Sequence, residues 1–284
     1  MTSIISMTNS KLALINVIYE NYTVLGDFLK SLLNQTNKDF YLINIDLSIH
    51  RSAINLNKIA GETIYSENKG YAHGVNVGLK KAIKDGYEYF CILNNDIYFK
   101  KDFIQNALNS IRKHSTSIIG GKIYYAPGYE YHKDRYKKSD LGKVIWYAGG
   151  SVDWNHALTP HSGVDEIDRG QFNTFKKVEF ANGALVLFDK SVINKVGFWD
   201  ESYFLYFEDA DFCVRAKKAG VKIYYDPAIV IWHKVSQSTG GSGSNIHQKY
   251  QRKNRLKFGL KYAPLRTKLH LIKNYVFDLL SFRT

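Results

Sequence analysis

The sequence predicts an α/β fold on a mostly parallel sheet. Short apolar runs alternate with amphipathic stretches through the first half of the chain, the rhythm of βαβ units. The chain has 284 residues, 45% of them hydrophobic, enough to bury a full core as one large domain or two intimately joined halves. There is no solenoid repeat and no low-complexity block; the nearest approach is the linker-like TGGSGSN at 239–245.

The elements follow in order. LALINVIY (12–19) reads as the first strand, followed by a helix near 22–34 and the strands FYLINID (40–46) and TIYSE (63–67). The next helix, 71–85, is opened by Gly70 and carries Gly74 and Gly78 at a spacing of four. Small residues on one face let another backbone or a ligand approach, and a helix N-terminus suits a phosphate, although helix-on-sheet packing alone would also explain the spacing. YEYFCILN (87–94) is a buried strand and 101–114 a helix. From about 120 the chain turns Tyr- and Gly-rich, and this half is read as the second wall of a cleft. It contains one continuous apolar strand, VEFANGALVLF (178–188). A helix then opens at FEDAD, with Phe212, Ala216 and Ala219 at helical spacing and Gly220 as its stop, and a short strand ends at His233. Two basic helices, 246–262 and 265–282, end the sequence. The expected division is 1–120, 121–245 and a basic amphipathic segment, 246–284.

A net charge of +13 favours an anionic partner: nucleic acid, phospholipid headgroups or a phosphorylated small molecule. No apolar run approaches a membrane span and the first residues lack the parts of a signal peptide, so a cytoplasmic location is expected. Cys91 and Cys213 lie among apolar neighbours, which suits packing better than a disulfide or zinc. The absence of a Gly-x-Gly-x-x-Gly fingerprint and of a Walker-type loop disfavours a dinucleotide dehydrogenase or an NTPase.

Ligands of open α/β sheets bind at the carboxyl ends of strands, and three such ends carry polar residues: Asp46, Glu67-Asn68 and Asn94-Asn95-Asp96. Asp96 alone reads as a turn residue and His233 alone as a core histidine. Together, a carboxylate and an imidazole at two strand ends can hold a divalent ion and leave its other positions to water and substrate phosphate. In FEDAD, the acids Glu208, Asp209 and Asp211 offset the helix dipole, ~0.3–1 kcal/mol each, and Asp211 is placed to pair with Arg215. The adjacent Glu208 and Asp209 repel one another and exceed what the dipole needs, which points to a site that wants a base.

In order, VIYEN (17–21), ENKGYAHGVNVG (67–78), LNNDI (93–97), IWYAGGSVDW with HSGVDEIDRGQF (within 145–172), FANGALVLFDKSVINKVGFWDESYFLYFEDADFCVRAKKAG (180–220) and VIWHKVSQSTGG (230–241) resemble the inverting family 2 glycosyltransferases, particularly their bacterial rhamnosyltransferase-like branch. The second string is similar to that family's Asn-x-Gly-Phe-Ala-Gly-Gly-x-Asn-x-Gly segment, and LNNDI to its Asn-Pro-Asp form of the DXD motif. The resemblance implies a GT-A fold, with Asp96 and His233 holding Mg²⁺ or Mn²⁺ on the donor pyrophosphate and Asp209 as base. Donor contacts would come from Tyr19, Asp46 (near the nucleotide base), Asn68 and Gly70 (near ribose and phosphates), Asn94, Asn95 and Lys234. Acceptor contacts would come from Trp146, Gly183 and Glu208. The chain departs from the pattern at Leu47-Ser48-Ile49-His50, at Asn95 in place of Pro, and at His73, which is expected to crowd or tune the donor pocket.

The implied reaction is a single in-line displacement at the anomeric carbon. The first-choice donor is dTDP-rhamnose, followed by UDP-galactofuranose or another UDP-hexose; the acceptor is a cell-surface glycan or lipid-linked oligosaccharide. The loop 234–245 has the glycine content of a lid. A competing reading is a non-catalytic basic protein that binds nucleic acid or membrane on the same fold; the presence of Asp96, Asp209 and His233 favours catalysis. In the tail, Leu265, Leu269, Ile272, Val276 and Leu279 fall at helical spacing beside Arg266, Lys268, Lys273 and Arg283, the pattern of a helix resting on the inner face of the cytoplasmic membrane. The chain's own core, or a second copy in a homodimer, competes for that stripe.

Overall fold

A computed structural model describes residues 9–235 and 244–281. The elements are β1 (Asn9–Ile18), α1 (Leu25–Leu33), β2 (Phe40–Asp46), β3 (Gly61–Tyr65), α2 (Tyr71–Lys84), β4 (Tyr87–Leu93), β5 (Ile97–Phe99), α3 (Phe103–Lys113), β6 (Ser117–Tyr125), β7 (Ile145–Tyr147), β8 (Lys176–Lys177), β9 (Leu185–Asp189), α4 (Lys190–Val196), α5 (Glu208–Lys218), β10 (Lys222–His233), α6 (Asn245–Tyr262) and α7 (Leu265–Ser281). One sheet runs through both halves in the order β3-β2-β1-β4-β9-β6-β10-β5, with β7 on β6 and β8 on β10. The first four strands are parallel, as expected of βαβ units. Beyond β4 the sheet is mixed, because β9 enters antiparallel between β4 and β6.

The apolar runs explain the central strands. Leu12 to Ile15, and Ile18, have no exposed surface, and Phe90 to Leu93 likewise, so these strands are covered on both faces. The glycines of α2 serve packing. A Cβ at Gly74 would stand 2.7 Å from Val17 and one at Gly78 2.5 Å from Ile15, so their absence lets the helix sit directly on β1. Gly70 has a different reason: its φ is +104°, and a Cβ there would meet the Phe204 carbonyl oxygen at 2.4 Å.

Two departures from expectation bear on the site. Residues 178–188 are not one strand. Only Leu185–Asp189 pairs as β9, and before it the chain turns at Asn182, whose side chain accepts from the Ala184 N–H (2.9 Å). The turn is polar although its flanks are apolar, which is why hydrophobicity alone ran it into the strand. β6 was hidden because Gly120 and Gly121 interrupt its apolar pattern; a Cβ on Gly121 would lie 2.4 Å from the Ile229 carbonyl oxygen, so glycine is what permits β10 to lie alongside. The candidate lid falls mostly on 236–243, and Arg283 on 282–284, both outside the described residues.

Candidate active site

The sheet order builds the site. β9 pairs with β4 so that Leu185 lies opposite Leu93, which sets the 182–184 turn against the 94–96 turn, and the Asn94 N–H donates to the Ala184 carbonyl (3.3 Å). β10 runs beside β5 with His233 opposite Ile97, bringing the imidazole to Asp96. Around these strand ends opens a cleft of about 800 Å³, within the range of small-molecule sites.

Asp96 and His233 are both buried, 3% and 4% exposed, with Oδ1 and Nε2 3.0 Å apart. That approach is not aligned as a hydrogen bond: among the described residues, Asp96 Oδ1 and His233 Nδ1 have no hydrogen-bond partner. The Asn94 amide nitrogen lies 3.4 Å from the same His233 Nε2. Tyr19, Asn68 and Gly70 line the cleft beside them, Asn68 accepting from the Gly70 N–H at 3.1 Å. Asn95 lines it too, with its amide 3.4 Å from the Asn21 carbonyl.

The carboxylates come from the first turn of α5, immediately after Tyr206 and Phe207, which hold φ of +67° and +70°. Two non-glycine residues in the left-handed region cost roughly 1–3 kcal/mol each and persist only where surroundings enforce them. Here α6 supplies the enforcement, as the Asn254 amide donates to the carbonyls of Leu205 (2.7 Å) and Tyr206 (3.1 Å). Asp211, fully buried, ties the same helices: Arg215 donates to it at 2.7 Å as its i,i+4 spacing requires, and Lys261 and Tyr262 of α6 donate at 2.6 and 2.7 Å. Cys213 fastens α5 to the turn, its sulfur 3.4 Å from the Ala181 nitrogen, which is the packing role expected of it.

Asp209 faces the cleft with Oδ2 accepting from the Gly183 N–H (2.8 Å) and Oδ1 from the Ala210 N–H (2.8 Å). Glu208 lines the cleft as well, and its Oε2 is buried with no hydrogen-bond partner among the described residues. Burial raises the pKa of both acids. Backbone N–H groups oppose the rise at Asp209, whereas the neighbouring Asp209 charge adds to it at Glu208, which is pushed well above the carboxylate range. The rise is therefore greater at Glu208 than at Asp209.

Two residues of this constellation were not singled out from the sequence. Tyr71, which stands where the resembled family has Phe, is half-buried with its hydroxyl 3.1 Å from both Asn94 Oδ1 and the Gly183 carbonyl, joining the Asp96 side of the cleft to the Asp209 side. Its departure from the Phe pattern was the available signal. His161 donates through Nδ1 to the Trp146 carbonyl (3.0 Å) and meets the Asn182 amide at Nε2 (3.3 Å); burial pushes its pKa down to about 4. Trp146 stands edge-on to both His161 and His233, with ring centres 5.0 and 4.7 Å away.

Three expected donor-side residues are placed elsewhere. Asp46 is fully buried, accepting from Tyr22 (2.7 Å) and the Ser48 N–H (2.9 Å), and does not line the cleft. It closes the β2 turn. Lys234 is drawn to Asp27 of α1 (2.5 Å), so its charge is already paired, and it too is outside the cleft lining. His73 does not crowd the pocket, because Ser66 (3.2 Å) and Glu201 (2.8 Å) hold its ring.

The mixed, helix-flanked sheet, with an acid pair at a helix start and an acid–imidazole pair at strand ends lining one cleft, is a GT-A fold. The chain belongs to glycosyl transferase family 2, whose pattern it matches over residues 14–197. A second match, glycosyl transferase family group 2, covers 144–282. Among curated proteins it is similar to the low-salt glycan biosynthesis hexosyltransferase Agl10 of Haloferax volcanii, 24% identical over 55% of this chain and 46% of that one. It is also similar to the poly-beta-1,6-N-acetyl-D-glucosamine synthase of Staphylococcus aureus, 28% identical over 62% of this chain and 36% of that one. The chain thus spans less than half the length of these relatives. Among solved structures it shares its fold with GalNAc-T7 bound to UDP, GalNAc and Mn²⁺ (TM-score 0.61, 14% identity, 85% of this chain and 47% of that one). It shares it also with the mannosyltransferase PcManGT of Pyrobaculum calidifontis bound to GDP-Man and Mn²⁺ (TM-score 0.53, 14% identity, 93% and 69%).

Proposed function

We propose that this protein is an inverting glycosyltransferase that moves a hexose or deoxyhexose from a nucleotide-sugar donor onto a glycan or lipid-linked oligosaccharide. The observation that carries the reading is the Asp209 carboxylate at the cleft, held by the Gly183 and Ala210 N–H groups. The same cleft holds a second polar cluster, Asn94, Asn95, Asp96 and His233, suited to a diphosphate. Asp209 takes the proton of the acceptor hydroxyl as that oxygen attacks the anomeric carbon. Glu208 presents its carboxyl to the acceptor in the same cleft, and Trp146 gives the sugar an aromatic wall. Asn68 and Gly70, which line the cleft beside Asp96, lie on the donor side.

Asp96 and His233 fit a divalent ion such as Mg²⁺ or Mn²⁺. Their 3.0 Å separation is what neighbouring ligands of an octahedral ion span at bond lengths of about 2.1 Å, and Asp96 Oδ1 is buried without another partner. No group of three or more His, Cys, Asp or Glu meets among the described residues, so the remaining ligands would be water and donor phosphate. A bound ion would offset charge on the departing nucleotide diphosphate. The names of the curated relatives, a hexosyltransferase and an N-acetylglucosamine polymer synthase, support hexose transfer; dTDP-rhamnose, favoured by the sequence resemblance, is the first donor to try and UDP-hexoses the next.

The test is a screen of nucleotide sugars for diphosphate release with added Mg²⁺ or Mn²⁺, repeated in excess chelator and with Asp96→Ala and His233→Ala. One donor should stand out and lose its turnover in chelator. Absence of release with every donor would favour the non-catalytic reading, and full activity in chelator would remove the metal while leaving the transfer.

A further inference from the structure

Helix α7 packs on α6 through one face and leaves the opposite face uncovered. Leu271 is buried, and a Cβ on Gly259 of α6 would lie 2.1 Å from it, so the two helices are in close contact there. The other face carries Leu265 (72% exposed), Leu269 (61%), Ile272 (43%) and Val276 (49%). At 100° per residue these four fall in a strip about 60° wide, bordered by Lys268 on one side and by Arg266 and Lys273 on the other.

The charge around the strip has one sign. From 245 to 277 the sequence contains no Asp or Glu, and it contains nine Lys and Arg residues: 249, 252, 253, 255, 257, 261, 266, 268 and 273. Some of these cations have internal duties, such as Lys261 at Asp211. Arg266, Lys268 and Lys273 instead border the apolar strip on the helix's outer side. An apolar stripe with basic borders matches an interface whose outer layer is anionic and whose interior is hydrocarbon. A second copy of the chain would bring the same positive charge to its own apolar strip. No helix among the described residues is long and apolar enough to cross a membrane, so the contact would be in the interfacial plane.

We infer that the outer face of α7 docks on the surface of an anionic phospholipid bilayer. The first turns of α6, including Ile246, Lys249 and Tyr250, line the cleft. Docking the α6–α7 pair would therefore hold the mouth of the cleft beside an acceptor carried on lipid. Only this purpose rests on the transferase reading; the lipid contact stands without it.

The experiment is co-sedimentation of the full chain with vesicles of phosphatidylcholine alone or containing phosphatidylglycerol, at low and high salt. Light scattering of the protein without lipid runs in parallel. Wild-type protein should bind the anionic vesicles, release in salt and remain monomeric. Leu269→Glu combined with Ile272→Glu, both on the exposed face, should weaken binding by at least about tenfold with an unchanged circular-dichroism spectrum and melting temperature. Equal binding by variant and wild type, or none by wild type, overturns the inference. So does a wild-type dimer that the variant dissociates, which would make the stripe a protein interface.

Discussion

Replacing Asp209 by Asn separates the two duties of that side chain. Its oxygens accept from the Gly183 and Ala210 N–H groups, each at 2.8 Å. An amide has one oxygen, so one of these N–H groups must face an NH₂, a loss of about 1–2 kcal/mol. Removal of a buried charge beside Glu208 works in the other direction, because the Asp209 charge contributes to the raised pKa of Glu208. The variant should therefore fold with a stability within about 2 kcal/mol of wild type and bind nucleotide diphosphate normally. Proton abstraction is lost outright. Positioned bases contribute about 10²–10⁴-fold, equivalent to ~3–5.5 kcal/mol at the transition state. The assay is diphosphate release at saturating donor and acceptor, with calorimetry of the diphosphate as the binding control. Turnover within threefold of wild type, together with a dead Glu208→Gln, would show that the neighbouring acid is the base and that the proton has been assigned to the wrong carboxyl.

Further outcomes follow from the same geometry. Tyr71→Phe removes a hydroxyl that reaches Asn94 and Gly183 at 3.1 Å; kcat/KM should fall about tenfold with an unchanged pH profile, and a wild-type rate would confine the hydroxyl to packing. Burial holds His161 neutral down to about 4, whereas the unfolded chain protonates it near 6.5. The unfolded state thus binds more protons between these values, and stability should fall as pH drops through that window, by at most about 3 kcal/mol; denaturant titrations of His161→Asn should show a weaker dependence. Glu208 has the opposite sign: its raised pKa means the folded state holds the extra proton, so its contribution is lost as pH rises from the ordinary carboxylate value. Glu208→Gln should accordingly raise the melting temperature at neutral pH, and an unchanged or lower value would show that Glu208 carries no such penalty.

Much of this site was legible because its parts sit at strand ends and a helix start, where local pattern and chemistry coincide. Asp96 and His233 each close an apolar strand, and the adjacent acids exceed the needs of a helix dipole. The pairing of Asp211 with Arg215 is an i,i+4 contact and could be read directly; its bonds to Lys261 and Tyr262 could not, because they depend on where α6 lands. The same limit applies to Asp46 and Lys234. Their bonds to Tyr22 and Asp27 likewise join residues that only the folded chain brings together. The split of VEFANGALVLF and the hidden β6 have a related cause: hydrophobicity cannot distinguish a strand from a buried turn, nor a glycine that weakens a strand from one that lets a neighbour approach.

Under the proposed mechanism one displacement, assisted by Asp209, carries the sugar from donor to acceptor. Proton NMR of the first-formed product, made with whichever donor releases diphosphate fastest, reads this through the anomeric configuration. The product should carry the configuration opposite to that of the donor from the earliest time points. Retention of the donor's configuration would rule out a single in-line displacement with Asp209 as base.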